Sequence, residues 1–243
     1  VKIENGLALV TGAGIRVGRA IALALADAGM NVAVHYSHSE KDARETVKQI
    51  ESRGRKAQAF AADLSSENGP EKLLESVLAS MGALDLLVNS AAVMQRTPLG
   101  EVTYEKWNET MDLNLRAPFF LSQAAAKAMK ARGGVIINIA DLAAFETWPG
   151  YIPHSISKAG VVQMTRAMAA ALGPEIRVNA IAPGAVLLPE EWPEDSKQRL
   201  IETTPLKRLG TPKDVTDALL FLVRADYVTG ETLMVDGGRR VRG

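Results

Sequence analysis

The chain contains no cysteine. That excludes a disulfide framework and any metal site built on thiolates. It also lacks net charge, because 28 Lys and Arg balance 28 Asp and Glu. Without a global field, nothing draws it to nucleic acid or to an acidic membrane surface. The cluster of Arg239, Arg240 and Arg242 is too short to change that balance. No apolar run reaches the ~20 residues that span a bilayer. Residues 1–5 carry charge and show no secretory signal. These absences leave a cytoplasmic protein as the expectation, with a small-molecule substrate and neither nucleic acid nor membrane as partner. His35 and His38 stand close in sequence, but with no third ligand nearby they give no metal site.

What the chain does have is the makings of a full core. Of its 243 residues, 47% are hydrophobic and 23% charged, which argues against disorder. Residues 7–28 are the most informative stretch. There a short apolar run leads into Thr11-Gly12-Ala13-Gly14-Ile15-Arg16-Val17-Gly18, and then into an amphipathic helical pattern. Strand, glycine-rich turn and helix, in that order, open a nucleotide-binding α/β domain. Gly12 permits a tight turn, Gly14 lets backbone approach a pyrophosphate, and Gly18 lets the helix pack close on the sheet. The helix N-terminus then offers free N–H groups and a positive dipole end to phosphate.

Strand-like runs recur at 7–10, 31–35, 58–61, 84–88, 135–139, 177–181 and 232–235. Helical patterns lie between them at 40–53, 70–81, 104–131, 156–172 and 212–224. Bare apolar strands alternating with such helices predict an α/β fold: one doubly wound, Rossmann-type domain over residues 1–243, its parallel sheet covered on both faces. Residues 184–204 break the pattern with Pro189, Glu190, Glu191, Trp192 and Pro193. They follow a strand end, where open α/β sheets bind ligands, and read as a substrate loop.

Further stretches fall in order along the chain. Asp63-Leu64 follows the third strand and Asn89-Ser90-Ala91-Ala92 the fourth; Asn114 sits inside a long helix. Ser157-Lys158-Ala159-Gly160, Pro183-Gly184 and Asp236-Gly237-Gly238 come later. Together with the glycine loop they resemble the short-chain dehydrogenase/reductase family over essentially the whole chain. The resemblance implies a cofactor held by Thr11, Gly12, Gly14, Ile15, Arg16, Val17 and Gly18 at the pyrophosphate. It implies Asp63 and Leu64 at the adenine, with Asn89, Ser90, Ala91, Ala140, Lys158, Pro183, Gly184 and Val186 along the rest. It also implies a homodimer or homotetramer assembled through helices 104–131 and 156–172.

Three positions depart from the family. Arg16 stands where most members have glycine, Asp141 at the place of the catalytic serine, and His154 at the place of the catalytic tyrosine, four residues before Lys158. Arg16, Asp141, Tyr151 and the stretch His35-Tyr36-Ser37-His38-Ser39 resemble the pteridine reductase and dihydromonapterin reductase branch. His154 is typical of neither branch nor family. The leading expectation is therefore an NADPH-dependent reductase with a pterin-like substrate, contacted by Arg16, Met94, Trp148, Leu188 and Trp192. Met94 stands where that branch has an aromatic side chain, and it pads a flat ring less specifically. The alternatives are a general carbonyl or 3-oxoacyl reductase, and a catalytically impaired NADP(H)-binding protein.

The cofactor expectation is NADP(H). NAD-binding domains place a carboxylate at the end of the second strand to bond the ribose 2′-hydroxyl. Here Tyr36, Ser37, His38 and Ser39 occupy that corner, with no acid before Glu40. Hydroxyl donors and the Arg16 cation suit a 2′-phosphate. For the chemistry, neutral imidazole is a very weak acid, whereas imidazolium has an ordinary pKa of about 6.5. Asp141 is expected to hold His154 partly protonated as the proton source, with Asn114 in a water path and Lys158 on the ribose. Proton relay by Asp141 itself, or a substitute phenol from Tyr151, are the rival routes.

Overall fold

The structure is a computed structural model and describes residues 3–188 and 192–241. Within them the strands are β1 (Leu7–Val10), β2 (Asn31–Tyr36), β3 (Ala57–Ala61), β4 (Leu86–Asn89), β5 (Gly134–Ile139), β6 (Ile176–Pro183) and β7 (Thr232–Val235). They pair in parallel, in the order β3-β2-β1-β4-β5-β6-β7. The helices are α1 (Arg16–Asp27), α2 (Glu40–Glu51), α3 (Gly69–Met81), α4 (Tyr104–Met111), α5 (Ala117–Met129), α6 (Ile152–Leu172), α7 (Glu194–Thr203) and α8 (Pro212–Arg224).

The period-2 geometry of a strand explains why these runs are apolar throughout. Alternate side chains of β1 enter different layers. Ala8 and Val10 join Val32, Val34 and Val88 beneath α1 and α8, packing on Ile21, Leu25, Val215 and Leu219. Leu7 and Leu9 face the other way, onto Leu73, Val77, Leu121 and Met129 of α3 and α5. Each fully buried leucine of this kind contributes about 2 kcal/mol, so both layers reward the same register.

The predicted strands agree with the sheet to within two residues at most ends. Two predicted helices differ. The pattern at 104–131 is not one α-helix: a π-helical turn, Asp112–Arg116, separates α4 from α5. Helix α6 starts at Ile152, earlier than the predicted Ile156, because Pro153 in its first turn needs no N–H partner. Residues 184–204 are not loop throughout. They contain α7, whose first turn carries Glu194 and Asp195, favourable to the helix dipole. None of its residues is buried, so no apolar stripe announced it. Pro189, Glu190 and Glu191 lie outside the described residues, as do Val1 and Arg242.

The chain leaves β1 toward β2 on one side, and β4 pairs with β1 on the other. The crevice at the C-terminal ends of β1 and β4 is therefore the topological switch point. Residues 11–18, 37–39, 90–97, 140–151 and 184–188 all start from this same edge of the sheet.

Candidate active site

The turn after β1 is shaped by what lies against it. Gly12 has φ +64°, and a Cβ there would sit 3.0 Å from the Ala91 Cα. At Gly14 a Cβ would meet Ser39 Oγ at 2.8 Å, and at Gly18 it would strike the Gly12 carbonyl. Thr11 Oγ1 accepts from the N–H groups of Ser90 and Ala91, at 2.9 and 3.0 Å, and so pins this turn to the end of β4. Ile15 is the N-cap of α1, and no side chain caps that helix. Its first-turn N–H groups are left for a ligand, and an anion fits there. A nucleotide pyrophosphate suits this cradle on these grounds.

His35 belongs to the scaffold of the cradle. It is buried, its Nδ1 accepts from the Gly12 N–H at 3.1 Å, and its Nε2 lies 3.1 Å from the Ala62 carbonyl. Burial pushes its pKa down from 6.5 to about 4, so it is neutral at pH 7. Among the described residues no cluster of three or more His, Asp or Glu could hold a metal.

At the end of β2, Tyr36 and Ser39 are half-buried, while Ser37 and His38 are exposed. The next acid in sequence, Glu40, is engaged with Arg44 at 2.7 Å. Arg16 does not point to this corner: its guanidinium donates to the Leu187 carbonyl across the mouth of the crevice. Asp63 accepts from Ser65 N–H and Oγ, at 2.9 and 2.6 Å, and these bonds hold its carboxyl below the ordinary range. Leu64 is buried in the core beneath it.

The π turn, β4, β5 and α6 bring the expected catalytic residues together. Asn114 is locked to the backbone of Val93: its Oδ1 accepts the Val93 N–H and its Nδ2 donates to the Val93 carbonyl, both at 2.8 Å. The same Nδ2 donates to Ser157 Oγ at 3.2 Å and lies 3.4 Å from His154 Nδ1. π turns of this kind recur at functional sites; here the extra residue turns Asn114 inward. Asp141 caps the short turn Leu142–Ala144 by accepting the Ala143 N–H at 2.8 Å. Its Oδ2 lies 3.7 Å from His154 Nε2. Lys158, one turn after His154, donates to the Ile139 carbonyl at 2.8 Å. Burial pushes the Lys158 ammonium down to about 8, against the opposing pull of the Asp141 carboxylate. Ala140, between Ile139 and Asp141 in sequence, is buried.

Below this cluster runs a buried polar ladder that the sequence reading missed. Asn89 donates to Ser122 Oγ and to Asn138 Oδ1, at 2.9 and 2.8 Å. Asn138 donates to Thr165 Oγ1, which donates to the Val161 carbonyl. Asn138 interrupts the apolar run of β5, and that interruption was the available signal.

The expected substrate residues stand on segments leaving the same sheet edge. Met94 is 51% exposed, and Leu187 and Trp192 are also exposed; Leu188 is half-buried. Trp148 donates its indole N–H to Glu146 at 2.8 Å and meets Tyr151 edge-on, ring centres 6.2 Å apart. Tyr151 is the N-cap residue of α6 and has no hydrogen bond to His154. Gly184 N–H bonds to the Val235 carbonyl, and Val186 bridges to Gly210, which fixes the path after Pro183. Among the described residues no helix is long and apolar enough to cross a membrane.

Residues 12–240 match the protein family described as enoyl-(acyl carrier protein) reductase. The chain is 33% identical over 240 residues to a 3-oxoacyl-[acyl-carrier-protein] reductase of Staphylococcus epidermidis, covering 96% of this chain and 98% of that protein. Among solved structures it resembles a 7α-hydroxysteroid dehydrogenase complexed with NADH and 7-oxo glycochenodeoxycholic acid, with a TM-score of 0.93, 34% identity, and 98% and 95% of the two chains covered. It also resembles the angucycline C-6 ketoreductase LanV with bound NADP, with a TM-score of 0.92, 31% identity, and 98% and 97% covered.

Proposed function

The chain belongs to the short-chain dehydrogenase/reductase family, and on that footing we propose that it is an NADP(H)-dependent oxidoreductase of ketones, with a 3-oxoacyl compound as the leading substrate class. The observation that carries this reading is the convergence of Asn114, Asp141, His154 and Lys158 beside the phosphate cradle. The named relatives act on oxo groups: a 3-oxoacyl carrier-protein substrate, a C-6 ketone and a 7-oxo steroid. The pterin-like substrate expected from the sequence gives way to this alternative. It rested on Arg16 and Asp141; the first is bonded to Leu187, and the second caps a turn and faces His154.

The preference for NADP(H) over NAD(H) rests on the end of β2, where Ser37, His38 and Ser39 replace a carboxylate. The cofactor supplies or takes the hydride when bound. The chain's own tasks are to hold it on the cradle, to bond the nicotinamide ribose through Lys158, and to manage the proton at Asp141 and His154. Asn114 keeps the polar wall of that pocket in place. Assembly as a homodimer or homotetramer through α5 and α6 belongs to the same reading; Phe119, Phe120 and Ile156 are exposed on those helices. Ala125 and Ala126, by contrast, pack into this chain's own core.

The test is NADPH oxidation by the pure protein with acetoacetyl-CoA and with dihydrobiopterin. Faster turnover of the 3-oxoacyl compound supports the reading. Faster turnover of the pterin restores the substrate first expected. Tight NADPH binding with no turnover of any ketone refutes the assignment as a working oxidoreductase.

A further inference from the structure

The reactive cluster contains one unexplained atom. His154 Nε2 is buried without a hydrogen-bond partner. Asp141 Oδ2 lies 3.7 Å from it. The two side chains are unequally placed: His154 is 3% exposed and the Asp141 side chain 26%. Asp141 is therefore the more accessible member of the pair.

The other ring nitrogen fixes the tautomer. Nδ1 lies 3.2 Å from the Val93 carbonyl and 3.4 Å from Asn114 Nδ2. Asn114 cannot turn its amide over, because its Oδ1 already accepts the Val93 N–H. Its two Nδ2 hydrogens go to the Val93 carbonyl and to Ser157 Oγ, at 2.8 and 3.2 Å. Nothing is left to donate to Nδ1, and a carbonyl stands ready to accept from it. Neutral His154 then carries its proton on Nδ1 and presents a bare Nε2 to Asp141.

We propose that Asp141 is the catalytic residue that exchanges a proton with the substrate, and that His154, held as the Nδ1–H tautomer by Val93, stores that proton on Nε2 behind it. The inference rests on the ketone-oxidoreductase reading. In reduction, the carbonyl carbon gains hydride from the reduced nicotinamide. Its oxygen gains the dyad's proton, leaving an alcohol, an Asp141 carboxylate and a neutral His154. In oxidation, the alcohol's hydroxyl proton passes to Asp141 and on to Nε2 as its carbon gives up hydride to the oxidised nicotinamide.

One dissociable proton thus serves both directions: reduction needs it on the dyad, and oxidation needs it off. The charged groups facing His154 are Asp141 from the β5–α6 connection and Lys158 from its own helix. The π turn contributes the uncharged Asn114, and the segment after β4 contributes the backbone of Val93. Tyr151, the N-cap residue of α6, stands three residues before His154 in sequence.

The experiment has an arm that needs no turnover. Long-range proton–nitrogen spectra of the 15N-labelled protein without cofactor report the tautomers of all three histidines. His35 provides an internal contrast, because its Nδ1 accepts from Gly12 and its proton sits on Nε2. His154 is expected to show the opposite pattern, with its proton on Nδ1. A neutral Nε2–H form of His154 overturns the proposal.

The second arm compares Asp141→Asn with His154→Gln in ketone reduction. Asp141→Asn should lose at least ~100-fold at every pH with unchanged NADPH affinity. His154→Gln should lose less, because the Asp141 carboxyl that meets the substrate remains, and its pH profile should differ from the wild type's because the proton store is gone. Equal losses, or a greater loss in His154→Gln, overturn the relay. If the wild-type protein turns over no ketone, the functional reading fails, and the tautomer still decides the arrangement of the dyad.

Discussion

Acid should dismantle the phosphate cradle through His35, a residue remote from the proton chemistry. Its Nδ1 accepts the Gly12 N–H and its Nε2 lies beside the Ala62 carbonyl. A proton on Nδ1 would set donor against donor and push Gly12 out of place. The pKa of His35 falls from 6.5 to about 4 on burial. At about 1.4 kcal/mol per unit, that difference corresponds to about 3 kcal/mol. The folded value is the lower one, so the unfolded chain takes up the proton first. The stability is therefore intact above about pH 6.5, lost progressively as pH falls, and gone near pH 4. The perturbation is His35→Gln, with urea unfolding of both proteins followed from pH 7.5 to 4.5. At neutral pH the variant should be less stable by about 1–3 kcal/mol, having lost buried hydrogen bonds. The wild-type advantage should shrink by up to about 1.4 kcal/mol per pH unit below 6.5. NADPH affinity of the folded wild type should hold through most of this window and fall only as pH approaches about 4, where His35 itself takes up a proton and Gly12 moves. A stability difference that stays flat from pH 7 to 4.5 would refute the argument, since His35 would then not be the buried neutral base that the geometry requires.

Other consequences are equally direct. Gly18→Ala puts a methyl group against the Gly12 carbonyl; it should destabilise by about 1–3 kcal/mol and weaken NADPH binding at least tenfold in a fluorescence titration. Lys158→Met removes an ammonium whose pKa burial has lowered from 10.5 to about 8. The folded value is again the lower, so the penalty is full below about pH 8 and fades toward 10.5. The variant should gain up to about 3 kcal/mol at pH 7, less the lost bond to Ile139, and that gain should vanish by pH 10.5 in thermal unfolding. Asn138→Ala leaves Asn89 and Thr165 short of a partner; urea unfolding should show a loss of about 3 kcal/mol.

The parts of this fold that could be read from sequence are those set by local period. Leu7–Val10 is apolar on both faces because both faces are buried, and that pattern survives in a linear string. Helix α8 shows the same legibility, bounded by the Thr211–Asp214 capping box at its start. The π turn at Asp112–Arg116 was not legible, because its cause lies 21 residues earlier, in the backbone of Val93 that binds Asn114. Nor was the engagement of Arg16, whose partner Leu187 is 171 positions away. The glycine loop could be read as a phosphate cradle because its glycine spacing between a strand and a helix is a local pattern, even though Gly12 and Gly14 press on Ala91 and Ser39 from other elements. The buried ladder through Asn89, Asn138 and Thr165 could not, because its links join residues of different elements far apart in sequence.

The two departures at the proton site depend on each other. Asp141 and His154 come from different elements, yet they meet at 3.7 Å. An imidazole alone at position 154 would hold its proton on Nδ1, turned toward Val93, and would offer the crevice nothing to donate. A carboxylate alone at position 141 would have no buried partner to hold the proton between turnovers. Placed together, the buried bare nitrogen gives the proton a place to reside, and the more exposed carboxyl gives it a route out. The neighbours enforce this division of labour: Val93 and Asn114 occupy one side of the ring so fully that only Nε2 is left to take part. A change at either position therefore alters the function of the other, and the pair is better understood as one proton-holding unit than as two substitutions.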